Sequence, residues 1–182
     1  MNTTFDKRIE KINVQLDGII EHAGKFNHQQ LNFKPSETEW SIMQVFQHLI
    51  AAETNTNLYL RKKILAGNDL KDAGFGTKIK TTLLRRFMYT PLKFKAPAGV
   101  DVRMDEEYDY ESRVKEWRNQ RSQLISFLSE VDEAMANKLL FKHGIGIRMN
   151  LDQMLQWTFV HADRHSKQIE RIIKDPKFPS SS

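Results

Sequence analysis

The sequence predicts an all-α protein, a four-helix bundle with one long crossover between its second and third main helices. Three observations carry that expectation. Four stretches repeat apolar residues at spacings of three and four, the period of a helix with one buried face. No stretch alternates polar and apolar residues long enough to build a set of strands. The composition is ordinary for a globular chain: 182 residues, 40% hydrophobic and 28% charged, with 8 glycines and 5 prolines. Such a chain fits a single domain over residues 1–182 and excludes collagen-like and disordered classes.

The first helix is read from Phe5, Ile9, Ile12, Leu16, Ile19 and Ile20, and ends near Gly24. A polar piece, residues 27–39 with Pro35, follows. Ser41 then precedes Gln44 by three residues, a capping box with Trp40 as a hydrophobic staple, and the second helix runs from there to Ala66, where Gly67 stops it. Residues 67–107 form the crossover, too long for a simple antiparallel connection and long enough to let the third helix run parallel to the second. Inside it, Ile79, Leu83, Leu84, Phe87 and Met88 mark one short helix before Pro91 and Pro97. The third main helix follows a cap at Asp109, with Val114, Trp117, Leu124, Ile125 and Leu128 on one stripe. Residues 139–149, with Gly144 and Gly146 among β-branched neighbours, read as a loop or short hairpin. The fourth helix starts after Asn150, again with a capping-box partner at Gln153, and runs to Lys174. The Pro- and Ser-rich tail, residues 176–182, is expected to be disordered.

No window approaches the ~18 consecutive apolar residues of a membrane span, and the N-terminus lacks a signal-peptide stretch, so the expected location is cytoplasmic and no membrane partner is expected. Without cysteine there is no disulfide, thiolate ligand or cysteine nucleophile. Any metal must be held by His, Asp, Glu, carbonyl or water. The net charge of +5 is unevenly spread. No acidic residue lies between Asp72 and Asp101, while Lys78, Lys80, Arg85, Arg86, Lys93 and Lys95 do, interleaved with Phe87, Tyr89 and Phe94. Such a segment is a candidate nucleic-acid or membrane-surface patch; the plainer reading is the solvated face of a crossover.

In a bundle, sites are built from inward side chains on facing helices. On the fourth helix His161 and His165 fall within the stripe of Leu151, Met154, Leu155, Thr158, Ala162, Ile169, Ile172 and Ile173. Four residues apart, they project on successive turns, the spacing at which one helix chelates a divalent ion. The alternative is two core imidazoles satisfied by hydrogen bonds. His48, at the edge of the second helix's stripe, is a candidate third ligand, completing a set that leaves positions open for water or substrate; a boundary histidine is the alternative there. Glu53 and Arg121 also lie on core faces, where an unpartnered charge is costly. They are candidate catalytic groups, Glu53 as base or additional ligand and Arg121 as an anion clamp, or else they pair with each other or reach solvent. His143 and Arg148 could rim the site, while His22 and His28 read as surface residues. Ser41 serves as a cap, so no serine triad is expected.

The stretch from Trp40 to Leu49 (WSIMQVFQHL) and the stretch from His161 to Ile169 (HADRHSKQI) together resemble the DinB-like (YfiT-like) superfamily of metal-dependent enzymes. The resemblance spans the chain's length and helix order. It implies an up-down-down-up bundle and a divalent metal on His48, His161 and His165. It also implies a small-molecule substrate: characterised members include transferases acting on low-molecular-weight thiols and a thiol-dependent isomerase, while many others are labelled hydrolases. Three imidazoles suit zinc, nickel or iron alike, and in a chain without cysteine a low-molecular-weight thiol would enter as cosubstrate. Related bundles pair as homodimers, for which the apolar residues of 79–88 are suited. The rival reading is a non-catalytic binding protein using residues 78–95 for nucleic acid or a protein partner; the inward histidines speak against it, so nucleic acid is not an expected partner. A salt-dependent DNA affinity lost on charge reversal at Arg85 and Arg86 would mark that role.

Overall fold

The computed structural model describes residues 3–66, 70–90, 102–144 and 146–180. Their order is α1 (Thr3–Ala23), α2 (His28–Asn32), α3 (Ile42–Leu65), α4 (Phe75–Met88), α5 (Tyr110–Ser129), α6 (Glu133–Ala136), β1 (Phe141–Lys142), β2 (Arg148–Met149) and α7 (Leu151–Ile173). The four long helices start and stop where local chemistry dictates. Ser41 and Asn150 close reciprocal capping boxes with Gln44 and Gln153, and the Asp109 carboxylate accepts from the Ser112 amide. These caps satisfy amides that helix starts leave without partners.

Side-chain ties fix the directions of the helices. Along α1 and α7, Arg8 meets Asp152 (3.0 Å), Gln15 donates to the Phe159 carbonyl (3.0 Å) and His22 lies 3.0 Å from Glu170, numbers rising together, so the pair is parallel. α3 and α5 are parallel on the same grounds: Arg113 donates to Gln47, Trp117 and Arg121 to Glu53, and Arg61 to the Gln123 carbonyl. Between α1 and α5 the order reverses, with Tyr110 on the Ile20 carbonyl, Arg118 on Asp17 and Arg121 on the Ile12 carbonyl. The bundle is therefore up-down-down-up in α1, α3, α5 and α7. Gly24 belongs to this packing, because a Cβ there would stand 2.8 Å from the Tyr110 hydroxyl.

Among the described residues the interior falls into two apolar clusters. One holds Leu16, Ile19, Ile42, Phe46, Leu49, Ile50, Trp117, Ala162 and Ile169. The other holds Ile12, Leu60, Leu124, Phe127, Leu155 and Val160, closed off by Leu84 and Met88 of α4 and by Phe141 and Met149 of the hairpin. Along each long helix the change from one cluster to the other falls near Glu53, Asn57 and Arg121, all buried. Arg121 grips Glu53 through Nε (3.0 Å) and Nη2 (2.6 Å), Trp117 Nε1 donates to the same carboxylate (3.1 Å), and Arg121 Nη1 donates to the Ile12 carbonyl (2.6 Å).

The crossover carries α4, which starts four residues earlier than the apolar residues suggest, at Phe75. Residues 71–73 pair with 137–139, through the Leu139 amide on the Lys71 carbonyl (2.9 Å) and the Ala73 amide on the Asn137 carbonyl (3.0 Å). The segment 139–149 forms the short antiparallel hairpin β1–β2. The expected stop at Gly67, and Pro91, Lys93, Phe94, Lys95 and Pro97 of the basic segment, lie outside the described residues. Two features correct the sequence reading. The polar piece 27–39 contains α2, started by a capping box between Asn27 and Gln30, with Leu31 buried. The tail is docked through residue 180: Phe178 packs edge-on against Phe26 (5.5 Å) and Phe33 (5.6 Å), and Gln30 donates to the Pro179 carbonyl (2.8 Å). The apolar ring outweighs the local Pro and Ser signal, which sees no tertiary partner.

Removing one partner of a buried ion pair strands the other charge, at about 3–5 kcal/mol. Arg121→Ala should therefore lower the stability measured by urea unfolding by about that amount, and a Glu53→Gln/Arg121→Met double variant should recover much of it. A loss under about 1 kcal/mol for the single variant would mean the pair is solvated.

Candidate functional site

His48 lies two turns into α3, and His161 and His165 lie on successive turns of α7, which faces α3 across the bundle. The fold brings the three together. One ring nitrogen from each lies within 4.8 Å of the others. The Nε2 atoms of His48 and His161 are 3.3 Å apart, and the three ring centroids lie 4.7 to 5.2 Å from one another. His48 and His165 are 4% and 8% exposed, while His161 keeps a partly exposed edge.

Two tryptophans wall the cluster. Trp40, expected as a staple, lays its ring against His48 (5.0 Å) and stacks on His165 (6.3 Å). Trp157 stacks on His161 at 5.7 Å, and its other neighbour is His143 of the hairpin turn, at 4.3 Å. Gln168 completes the setting: its Oε1 lies 2.9 Å from His165 Nδ1 and accepts the proton there. With an amide oxygen as the partner, Nδ1 carries the hydrogen and the Nε2 lone pair is left unprotonated.

The electrostatics disfavour charge on His165 and His161. Burial pushes His165 down to about 3, with His48 adding to the effect against a smaller opposing pull from the Gln168 hydrogen bond. Burial also holds His161 well below its ordinary range, reinforced by His165, His48, His143 and Arg164. Closely spaced imidazoles in a desolvated pocket cannot all carry charge.

Of the other sequence-derived candidates, Glu53 and Arg121 are joined to each other, as one of the two readings of them had it. Both carboxylate oxygens accept from Arg121, so Glu53 does not stand as an unengaged base, nor Arg121 as an open anion clamp. His143 does flank the cluster through Trp157. Arg148 is exposed, and its side chain forms no hydrogen bond or ion pair among the described residues. His28 is exposed and bonded to Glu107 (3.2 Å), and His22 is half-buried beside Glu170. The sequence reading gave no site role to Trp157 or to the Gln168 side chain, and none beyond the staple to Trp40. Helical spacing held the signal for two of them: Trp157 lies four residues before His161, and Gln168 three after His165, the distances at which side chains on one helix meet.

The DinB superfamily profile matches residues 15–169, which includes every residue of the cluster. The chain belongs to the DinB superfamily. A solved structure with this fold is that of YfiT from Bacillus subtilis, described as a probable metal-dependent hydrolase with an unusual four-helix bundle topology. It aligns at a TM-score of 0.63 over 93% of this chain and 85% of its own, with 12% sequence identity. At that identity the likeness establishes the shared bundle topology. No curated protein is similar enough to register a match. Among the described residues no helix is long and apolar enough to cross a membrane.

The depressed histidines carry a pH dependence whose sign is fixed. The unfolded chain binds protons at these rings below about 6.5, whereas the folded chain resists until about 3 at His165. Their contribution to stability is therefore present in full above about pH 6.5 and lost progressively as the pH falls toward 3. The chelated, metal-free DinB-family protein should show a melting temperature that declines across that window, and His165→Gln should flatten the decline. A profile unchanged by the substitution would mean that the His165 ring is solvated.

Proposed function

We propose that this DinB-superfamily chain is a divalent-metal-dependent hydrolase of a small-molecule substrate, with the ion held by His48, His161 and His165. The observation that carries the reading is the convergence of three ring nitrogens within 4.8 Å of one another. Two imidazole nitrogens bound at ~2.0–2.1 Å to one tetrahedral ion stand ~3.3–3.4 Å apart, and the His48 and His161 Nε2 atoms are separated by 3.3 Å. Neutral imidazole is the ligating form, so depressed ring pKa values remove proton competition near neutral pH. Three protein ligands leave a coordination position open, as catalytic sites do and closed structural sites do not.

When bound, a divalent ion supplies Lewis acidity that lowers the pKa of a water or thiol and polarises a carbonyl. The chain's own residues do the positioning. Gln168 holds the His165 ring by its Nδ1 proton. Trp40 and Trp157 keep bulk water from the imidazoles and present flat apolar surface beside them. Both Glu53 oxygens are engaged by Arg121 and Trp117, and His143, against Trp157, is the candidate for proton transfer. The hydrolase assignment follows the description given to YfiT. Sulfur transfer would use the same three ligands, with the thiol brought by a cosubstrate because the chain has no cysteine, so thiols belong in the substrate screen beside esters and amides.

Elemental analysis of untagged protein purified without added metal should find close to one ion per chain. The variant with His48, His161 and His165 all changed to Ala should hold none while keeping its helical circular dichroism. His161→Ala alone should abolish binding. Gln168→Leu should retain the site but weaken metal affinity by about 10–100-fold, the usual loss when a ligand's supporting hydrogen bond is removed. No metal in the wild type after reconstitution with zinc, nickel and iron would overturn the assignment.

A further inference from the structure

α4 buries Thr81, Leu84 and Met88 against the bundle, yet it carries a second apolar stripe on its outward side. Phe75, Ile79 and Leu83 recur at intervals of four and are 78%, 47% and 60% exposed, and Phe87, 43% exposed, continues the row. A helix with two apolar faces is expected where both are covered, and an exposed contiguous apolar row marks an interaction surface. Cations accompany this row: at ~100° per residue Lys78 and Lys80 flank it, and Arg86 falls within it near its C-terminal end. Lys78, Lys80 and Arg86 are exposed, and none of them pairs with a carboxylate among the described residues. No acidic residue lies between Asp72 and Asp101.

From this pattern we infer that the outward face of α4 is a docking surface for an anionic lipid bilayer, on which it lies parallel to the plane with its apolar row at headgroup depth. The charge pattern selects the occupant. A second copy packed face to face on α4 would set Lys78, Lys80 and Arg86 against themselves with no acidic side chain on the helix to answer them, and like charges across an interface are strongly disfavoured. Nucleic acid would match the cations but leave Phe75, Ile79 and Leu83 against phosphate. An exposed apolar row flanked by Lys78 and Lys80, with the long Arg86 side chain able to reach past it to the headgroups, is an arrangement that binds an anionic interface. The expectation of no membrane partner rested on the lack of a span, and an interfacial helix needs none. The inference rests on α4 alone and stands or falls apart from the metal reading.

The full-length protein, as purified, would be spun with phosphatidylcholine vesicles and with vesicles that also contain phosphatidylglycerol. Cosedimentation with the anionic vesicles alone, diminished by added salt, is the expected result. A Lys78→Ala/Lys80→Ala/Arg86→Ala variant should bind about a hundredfold more weakly, about fivefold for each cation near an anionic surface. Leu83→Asp should abolish binding with an unchanged circular dichroism spectrum, since that side chain is exposed in the folded state. Absence of binding to anionic vesicles at low salt would overturn the proposal, as would equal binding by wild type and Leu83→Asp. Concentration-dependent dimerisation in sedimentation velocity that Leu83→Asp removes, without vesicle binding, would reassign the row to a second copy. A DNA affinity lost in the triple variant but kept in Leu83→Asp, again without vesicle binding, would reassign the cations to nucleic acid.

Discussion

The buried grip of Arg121 on Glu53 is the constraint on which the rest of the bundle depends. It joins α5 to α3 through two hydrogen bonds and to α1 through the Ile12 carbonyl, at the level where the two apolar clusters meet. Apolar packing alone would tolerate small rotations of these helices, because hydrophobic contact has no direction. A bidentate guanidinium–carboxylate pair does have direction, and breaking it in the interior is severely penalised. Glu53 lies five residues after His48, which at ~100° per residue sets the two side chains about 140° apart around α3. Turning Glu53 toward α5 therefore turns His48 toward α7. The residue that looks from sequence like a member of the histidine cluster instead fixes the rotation that forms it.

The histidine cluster depends next on desolvation. Three imidazoles with centroids about 5 Å apart repel one another if protonated, and solvent would stabilise their charged forms. Trp40 and Trp157 remove that solvent from two sides, and Gln168 commits the Nδ1 proton of His165 to a local acceptor. The outcome is a patch of ring nitrogens inside a protein on which burial disfavours charge at His161 and His165, a composition that packing alone does not require. Leucines in these three positions would bury more apolar surface at no polar cost.

Much of this was legible in the sequence, and the boundary of legibility follows the range of the interaction. The four long helices and the capping boxes at Ser41 and Asn150 are local features, set by periodicity and by contacts three residues apart. So is the pairing of His161 with His165 on one face. That His48 meets them does not follow from spacing, which offers it only as a third ligand of suitable type; the family resemblance of the Trp40–Leu49 stretch is what joins it to the pair, because its approach to α7 depends on the helix rotation just described. Glu53 and Arg121 were conspicuous as charges on core faces, but a wheel cannot show that two such charges on different helices meet. α2 is a single turn, too short to show a period, although Asn27 and Gln30 carry a capping-box spacing that could have been read. Phe178 was lost among prolines and serines because the rings that receive it, Phe26 and Phe33, are distant in sequence.

The crossover is tied to the cluster by the same short motif that forms it. Between His161 and His165 on α7, Arg164 turns outward and donates from Nη1 to the Met88 carbonyl (2.7 Å) and the Thr90 carbonyl (2.8 Å) at the end of α4. Lys167, one turn on, rests over the Tyr89 ring at 4.7 Å. A guanidinium on the last carbonyls of a helix satisfies groups that have no intrahelical partner and complements the negative end of the helix dipole. One turn of α7 thus presents imidazoles to the interior and a cation to the surface helix. The long crossover is accordingly more than the connection that lets α3 and α5 run parallel, because its helix is held at its C-terminal end by the segment that carries the site.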